Sequence, residues 1–345
     1  MMIFASLLII LAFVLLAPFS VKRIEEELEI FLFIMGCLAV SVTYQWSAGL
    51  VKESLFEPLK ITLAVFSAGF IFRVLQKIIA RNVNRLADRI GPKLFAFIII
   101  IGLGFLSSII TAIIAALVLV EIISCLTLDR KDEIILVVLT CFSIGLGAVL
   151  TPIGEPLSTI TIAKLRGEPY QAGFFFLFKN LWQFIIPGII AFGILGMLFM
   201  PAMRQKKHGL QESRRDNVKD IALRAAKIYF FVMALVLLGK GFKPIIDTYI
   251  VKIPYQGLYW LNMSSAVLDN ATLAAAEIGP EMGLWQLKSS LLGLLIAGGM
   301  LIPGNIPNII TAGKLRIKSS EWAKLGVPLG LCVMAVYFLV ILTLR

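Results

Sequence analysis

Long apolar runs alternate with short polar segments along the whole chain. Runs such as Met2–Phe19 and Leu329–Leu344 carry no charge. They also lack the period-two alternation of barrel strands. Each is long enough to cross roughly 30 Å of hydrocarbon as a helix. Lipid gives backbone groups no partners, so a crossing segment must satisfy its own hydrogen bonds. The pattern predicts spans at 2–19, 29–48, 60–77, 174–200, 222–240 and 325–344. Two regions, 94–166 and 256–316, are too interrupted to be simple spans. Between them and the early spans, Lys77, Arg81, Arg85 and Arg89 recur every fourth residue. With Ile78, Val83, Leu86 and Ile90 on other faces, 77–93 reads as a basic helix in the membrane interface.

Composition narrows the class. The chain has 345 residues, 59% hydrophobic and 15% charged, against about 25% charged in soluble domains. No small-residue cleavage site follows the first run, which reads as a retained span. Cys37, Cys125, Cys141 and Cys332 are scattered through apolar runs, which suggests neither a disulfide framework nor a metal motif. His208, the single histidine, lies in a charged loop. No cofactor is expected, and no intramembrane enzyme pairing is recognisable. The net charge of +11 fits basic cytoplasmic loops and does not require nucleic acid. If 94–127 and 256–284 are re-entrant hairpins, loops 20–28, 77–93, 128–133, 201–221 and 314–324 share one face. That face then carries most of the 32 Lys and Arg residues, and single crossings would scatter them to both sides.

The polar stretch 201–221 divides the chain into halves that echo each other. Residues 154–166 align with 304–316 without a gap. Gly154, Ile160, Thr161, Lys164, Leu165 and Arg166 recur as Gly304, Ile310, Thr311, Lys314, Leu315 and Arg316. A weaker echo pairs Ser107-Ser108 with Ser264-Ser265, and Glu121 with Glu277. With an odd number of crossings between them, the halves are inverted. Each half contains a helix interrupted by proline and glycine: Thr151-Pro152-Ile153-Gly154-Glu155-Pro156 and Ile302-Pro303-Gly304-Asn305-Ile306-Pro307. Proline removes a helical donor and clashes with the preceding turn. Paired breaks in inverted repeats are the best sequence pointer to a transporter's site.

Two carboxylates sharpen that pointer. Glu155 stands in the first break, and Asp269 with Asn270 stands in the second hairpin. An acid at membrane depth costs a few kcal/mol even on translocon scales and marks function by default. Each half thus offers one acid beside neutral oxygens: Ser107, Ser108 and Thr111 with Glu155, and Asp269 with Asn305. Hard cations take such ligands, and a desolvated carboxylate also takes protons. The structural alternative is that Asp269 caps a helix and that Glu155 is interfacial. Glu121 and Glu277 read as structural or near the surface. Lys164, Arg166, Lys314 and Arg316 read as C-terminal caps or snorkelling groups. Trp182, Trp260, Trp285 and Trp322 read as interface anchors.

The segments Leu268–Thr272, Thr151–Pro156 and Gly298–Asn308 resemble the paired signatures of the ion transporter superfamily. That group includes sodium/proton antiporters, arsenite permeases, citrate carriers and sodium-coupled dicarboxylate carriers. The resemblance spans roughly 60–345 and is strongest to its "predicted cation transporter" family. It implies an elevator-like homodimer whose hairpin tips meet unwound helices. Carried over, it implies ion-site positions at Ser107, Ser108, Thr111, Thr151, Gly154 and Glu155, and at Ser265, Asp269, Asn270, Thr272, Gly304 and Asn305, with sodium as the possible metal. The first hairpin lacks the Asp-Asn or Ser-Asn-Thr of many relatives, so two equal sodium sites are not implied.

The sequence therefore reads as an all-α polytopic membrane protein, an inverted-repeat transporter with two re-entrant hairpins and two broken helices. Residues 1–59 hold two N-terminal transmembrane helices, 60–200 repeat 1, 201–221 a basic cytoplasmic linker, and 222–345 the inverted repeat 2. The expected function is non-enzymatic cation exchange, sodium/proton antiport-like, in a cell (inner) membrane. Its expected partners are small ions, membrane lipid and a second copy of the chain, with no nucleic acid. Sodium-coupled transport of a small carboxylate or oxyanion is the alternative.

Overall fold

The computed structural model describes residues 2–21, 23–24, 27–56, 58–59, 62–63, 66–67, 85–86, 89–126, 128–199, 218–245 and 253–344. The predicted span 60–77 lies almost wholly outside them. So do 77–84 and 87–88 of the predicted interfacial helix, 201–217 of the linker, and His208.

Among the described residues every regular element is helical. In order these are α1 Met2–Ser20, α2 Leu28–Val42, α3 Pro92–Ile110, α4 Ala112–Cys125, α5 Arg130–Ala148, α6 Pro156–Lys164 and α7 Phe176–Phe199. Then follow α8 Val218–Ile245, α9 Tyr255–Leu261, α10 Asn270–Glu277, α11 Leu284–Gly298, α12 Ile306–Leu315 and α13 Ser319–Leu344. Short 3₁₀ turns cover Asn262–Ala266 and Ile302–Gly304. The predicted span 29–48 is cut short at Val42. There the Thr43 hydroxyl bonds back to Ala39 O (2.8 Å), Tyr44 turns to φ 55°, and helix resumes only at 48.

Among the described residues four helices are long and apolar enough to cross a bilayer: α3, α7, the Ala225–Pro244 part of α8, and α13. This fits a membrane protein. The outer face of α13 supports it, because Leu331, Val336, Leu339 and Leu342 are exposed along one helix, a face better suited to lipid than to water. At the other extreme, residues 136–150 of α5 and its end, and 289–300 of α11 and its end, are buried without exception. A helix that is apolar all round belongs in the interior. The two helices the sequence marks as broken are the centre of the molecule.

The two halves share one element order. In the first, α3 and α4 meet at Thr111, α5 breaks before α6, and α7 closes. In the second, α9 with its 3₁₀ turn meets α10, α11 breaks before α12, and α13 closes. The hairpin arms are unequal: α3 has 19 residues and is by length a full span, whereas α9 has 7.

The halves also exchange partners. α4 of the first packs on α12 of the second, and α10 of the second packs on α6 of the first. Both pairs run parallel. Ile113, Ala116 and Leu117 near the start of α4 pack with Ile306 and Ile310 of α12, while Lys314 at its end reaches Glu121 (3.4 Å). Likewise the starts of α6 and α10 adjoin, and Lys164 at the end of α6 donates to Ile278 O (3.1 Å). The basic residues ending the half-helices therefore fasten the opposite half.

Arg130 at the start of α5 closes one end of the bundle. Its guanidinium donates to Leu315 O (3.1 Å) and Arg316 O (2.7 Å), orphan carbonyls at the end of α12, and to both carboxylate oxygens of Glu321. Trp322 departs from the sequence reading. It is fully buried, and its indole N–H donates to Gly299 O (3.1 Å). Its amphipathic ring suits a membrane interface or a buried carbonyl equally, and here the loose carbonyl at the second break takes it.

Candidate functional site

Each break follows from its prolines. Pro156 occupies the first turn of α6 and Pro307 the first turn of α12, where a missing N–H is harmless. Upstream, Pro152 and Pro303 prevent the preceding helices from continuing. The result is one backbone design used twice, at an offset of 150 residues. Leu150 N bonds Gly147 O (3.1 Å), as Met300 N bonds Ala297 O (3.0 Å). Gly154 N bonds Thr151 O (3.2 Å), as Gly304 N bonds Leu301 O (3.3 Å). Glu155 and Asn305 then extend to φ −156° and −152°, and Thr159 N and Ile309 N return to their carbonyls (both 3.3 Å). Glycine is required at the turn in both. A Cβ on Gly154 would lie 2.0 Å from Ala148 O, and one on Gly304 2.5 Å from Gly298 O.

The hairpins dock on these breaks. Ala112 N donates to Gly154 O (2.8 Å), and the Thr151 hydroxyl donates to Ser108 O. The Ser107 hydroxyl donates to Ile144 O (3.0 Å), and Ser265 donates to Leu294 O (3.1 Å), again 150 residues on. Ser107 thus corresponds to Ser265, one residue away from the Ser107–Ser264 pairing suggested by sequence. The same register sets Thr111 opposite Asp269. The Ser108 hydroxyl turns back to Phe105 O (2.7 Å). Thr111 is held at φ 74°, ψ 150°, a sparsely populated conformation for a β-branched residue, while its Oγ1 accepts from Ile114 N (3.3 Å).

Four helices, α4, α6, α10 and α12, start in this region. The residues immediately before them are Thr111, Glu155, Asp269 and Asn305. The sequence treated each half as pairing one acid with its own neutral oxygens. The structure places the two acids together. Glu155, only 5% exposed, lies within charge range of Asp269 and faces the buried Asn270 amide. Neither Glu155 Oε1 nor Asn270 Nδ2 completes a hydrogen bond among the described residues. Glu155 is therefore buried in the protein and not open to solvent. Asp269 is half-buried at the N-cap position of α10, and its carbonyl accepts from Leu273 N (3.1 Å). Asn305 lies over α5, with Nδ2 2.9 Å from where a Gly145 Cβ would stand. Thr272 is in the first turn of α10, and its side chain lies outside the described part.

Two further residues belong to this centre. Asn308 is fully buried and bridges the second break, donating from Nδ2 to Gly298 O (2.8 Å) and Leu301 O (2.9 Å). Ser158, its counterpart, donates to Glu155 O (2.7 Å). The signal was present, since Asn308 and Ser158 occupy matched places in the aligned segments. Beside the second break, a cleft of about 430 Å³ has exposed Arg316 and Lys318 and buried Ile302 and Ile309 among its walls, with Lys227 bound to Glu29 (2.6 Å).

A family model described as "Protein of unknown function (DUF1646)" matches residues 4–344. The chain belongs to that family. No curated protein matches it. Within this DUF1646 member the match takes in both breaks, both acids and all thirteen helices apart from the first two residues of α1.

Proposed function

We propose that this protein is a secondary active transporter of cations, exchanging a sodium-like monovalent ion for protons by alternating access in a cell membrane that it crosses several times. One observation carries the reading: Glu155 and Asp269, acids from different halves, lie within charge range of each other where four helices begin. Two unit charges about 4 Å apart repel by about 4 kcal/mol at an effective dielectric of about 20, and by less when farther apart. Desolvation adds several kcal/mol per ion. A helix N-terminus returns about 0.3–1 kcal/mol, up to ~2 when partly buried, so the dipoles offset only part of this. A bound cation or proton offsets the rest. Cation and proton then compete for one pair of carboxylates, which is the chemical requirement for exchange.

The matched breaks support an inverted repeat with two mechanically equivalent halves. The likeness of these segments to the ion transporter superfamily points the same way, with Ser107, Ser108, Thr111, Thr151, Gly154, Ser265, Asn270, Thr272, Gly304 and Asn305 around the acids. In proteoliposomes the purified protein should dissipate an imposed pH gradient when sodium or lithium is added, with no organic anion present. A second reading has its own support: four helix N-termini would suit a small carboxylate or oxyanion. Flux that requires such an anion would replace the first reading with the second.

The re-entrant arrangement has a separate test. Cysteines placed at exposed Lys93 and Asp129, or at Pro254 and Gly283, in a Cys332→Ser background should be labelled by an impermeant reagent from the same side. Labelling from opposite sides at either pair would overturn it.

A further inference from the structure

A second buried carboxylate stands apart from this centre. Glu277 ends α10, about 10 Å along the helix from Asn270. The sequence read it as structural or near the membrane surface; within the protein it is 4% exposed. Its Oε2 accepts from the Ser290 hydroxyl (3.0 Å), and Asn262 faces the carboxyl. Asn262, itself fully buried, commits its amide N–H groups to Ser290 O and Oγ (both 3.0 Å). Two oxygens are left buried without a hydrogen bond: Glu277 Oε1 and Asn262 Oδ1. While Glu277 is ionised both are acceptors, so neither can satisfy the other. Such groups are rare in interiors and ask for an occupant. The cluster has one member at a cavity wall: Glu277 lines a pocket of about 390 Å³ whose walls include Lys164, Gly279, Pro280, Glu281 and Gln286, with Asn262 and Ser290 buried behind it. On that wall Lys164 directs its ammonium to Ile278 O (3.1 Å), and Glu281 is exposed.

We propose that Glu277, Asn262 and Ser290 form a second cation site, for a sodium-sized monovalent ion, entered from this pocket. The donor set is carboxylate, amide and hydroxyl oxygen, the ligands of hard cations, and one carboxylate balances one positive charge. A divalent ion is ordinarily bound by more carboxylate than this. The site does not depend on the transport reading, since it involves neither Glu155 nor Asp269.

The test is the thermal unfolding of the detergent-solubilised full chain, titrated with sodium chloride against choline chloride at fixed ionic strength. The Glu155→Gln/Asp269→Asn double variant should retain a sodium-dependent rise in melting temperature. Adding Glu277→Gln should remove that rise or weaken its midpoint at least tenfold. A double variant with no sodium response, or a response unchanged by Glu277→Gln, would overturn the site. Glu277→Asp, which keeps the charge but withdraws it by one methylene, should retain the response with a midpoint about tenfold higher. An unchanged midpoint there counts equally against it, even where Glu277→Gln does not fold. A larger response to calcium than to sodium would reject the monovalent assignment.

Discussion

Asp269→Asn is expected to bring sodium-driven proton flux in proteoliposomes down to the level of protein-free vesicles while leaving the protein folded. The substitution is informative because of where Asp269 sits. It precedes the first residue of α10, and asparagine is as good an N-cap as aspartate. The variant therefore keeps the cap and removes only the charge and the exchangeable proton. Its melting temperature should be unchanged or higher, because the repulsion with Glu155 and one desolvated charge are gone. Glu155→Gln should be milder, weakening sodium about tenfold, since the matched break already accommodates the amide of Asn305. Wild-type flux in Asp269→Asn would reduce Asp269 to a capping residue and leave Glu155 as the remaining carrier.

Gly154→Ala should be the most damaging single methyl in the chain's two breaks. Its Cβ would stand 2.0 Å from Ala148 O, and its three nearest neighbours are all Ala148 backbone atoms, so no side chain can move aside. Overpacking of a well-packed interior costs typically 1–3 kcal/mol and occasionally more, and this approach belongs at or above the top of that range. Gly304→Ala, at 2.5 Å from Gly298 O, should follow closely. Both should lower the melting temperature and abolish flux. Gly313→Ala is the control: nothing lies within 4 Å of its Cβ, and alanine favours the helix there by about 1 kcal/mol. Equal melting temperatures for Gly154→Ala and Gly313→Ala would mean that the break tolerates a different backbone path.

What the sequence conveyed was local chemistry. Pro152, Gly154, Pro156 and their counterparts mark the breaks because no continuous helix accepts them. Glu155 and Asp269 stood out because lipid penalises charge. The pairing of α4 with α12 and α6 with α10 had no local signature, since it joins residues about 100 to 190 positions apart. For the same reason the meeting of Glu155 with Asp269 was invisible, although each acid was singled out. The Ser107–Ser264 register slipped by one because both hairpins carry adjacent serines. Only the carbonyls they bond, Ile144 and Leu294, decide which serine is equivalent. Trp322 was misplaced because residue type alone does not report burial.

The reciprocal pairing of the halves bears on how such a molecule could arise and be assembled. Neither half can finish its own interior, because the mate of each short helix is encoded beyond the linker. A polypeptide carrying one copy of the unit would complete the same contacts only by clasping a second copy about a two-fold axis, an isologous handshake in which each lends the other a helix. Fusion of two such copies would then freeze a pre-existing dimer into one chain. That freedom from strict symmetry is what lets glutamate stand on one side where asparagine stands on the other.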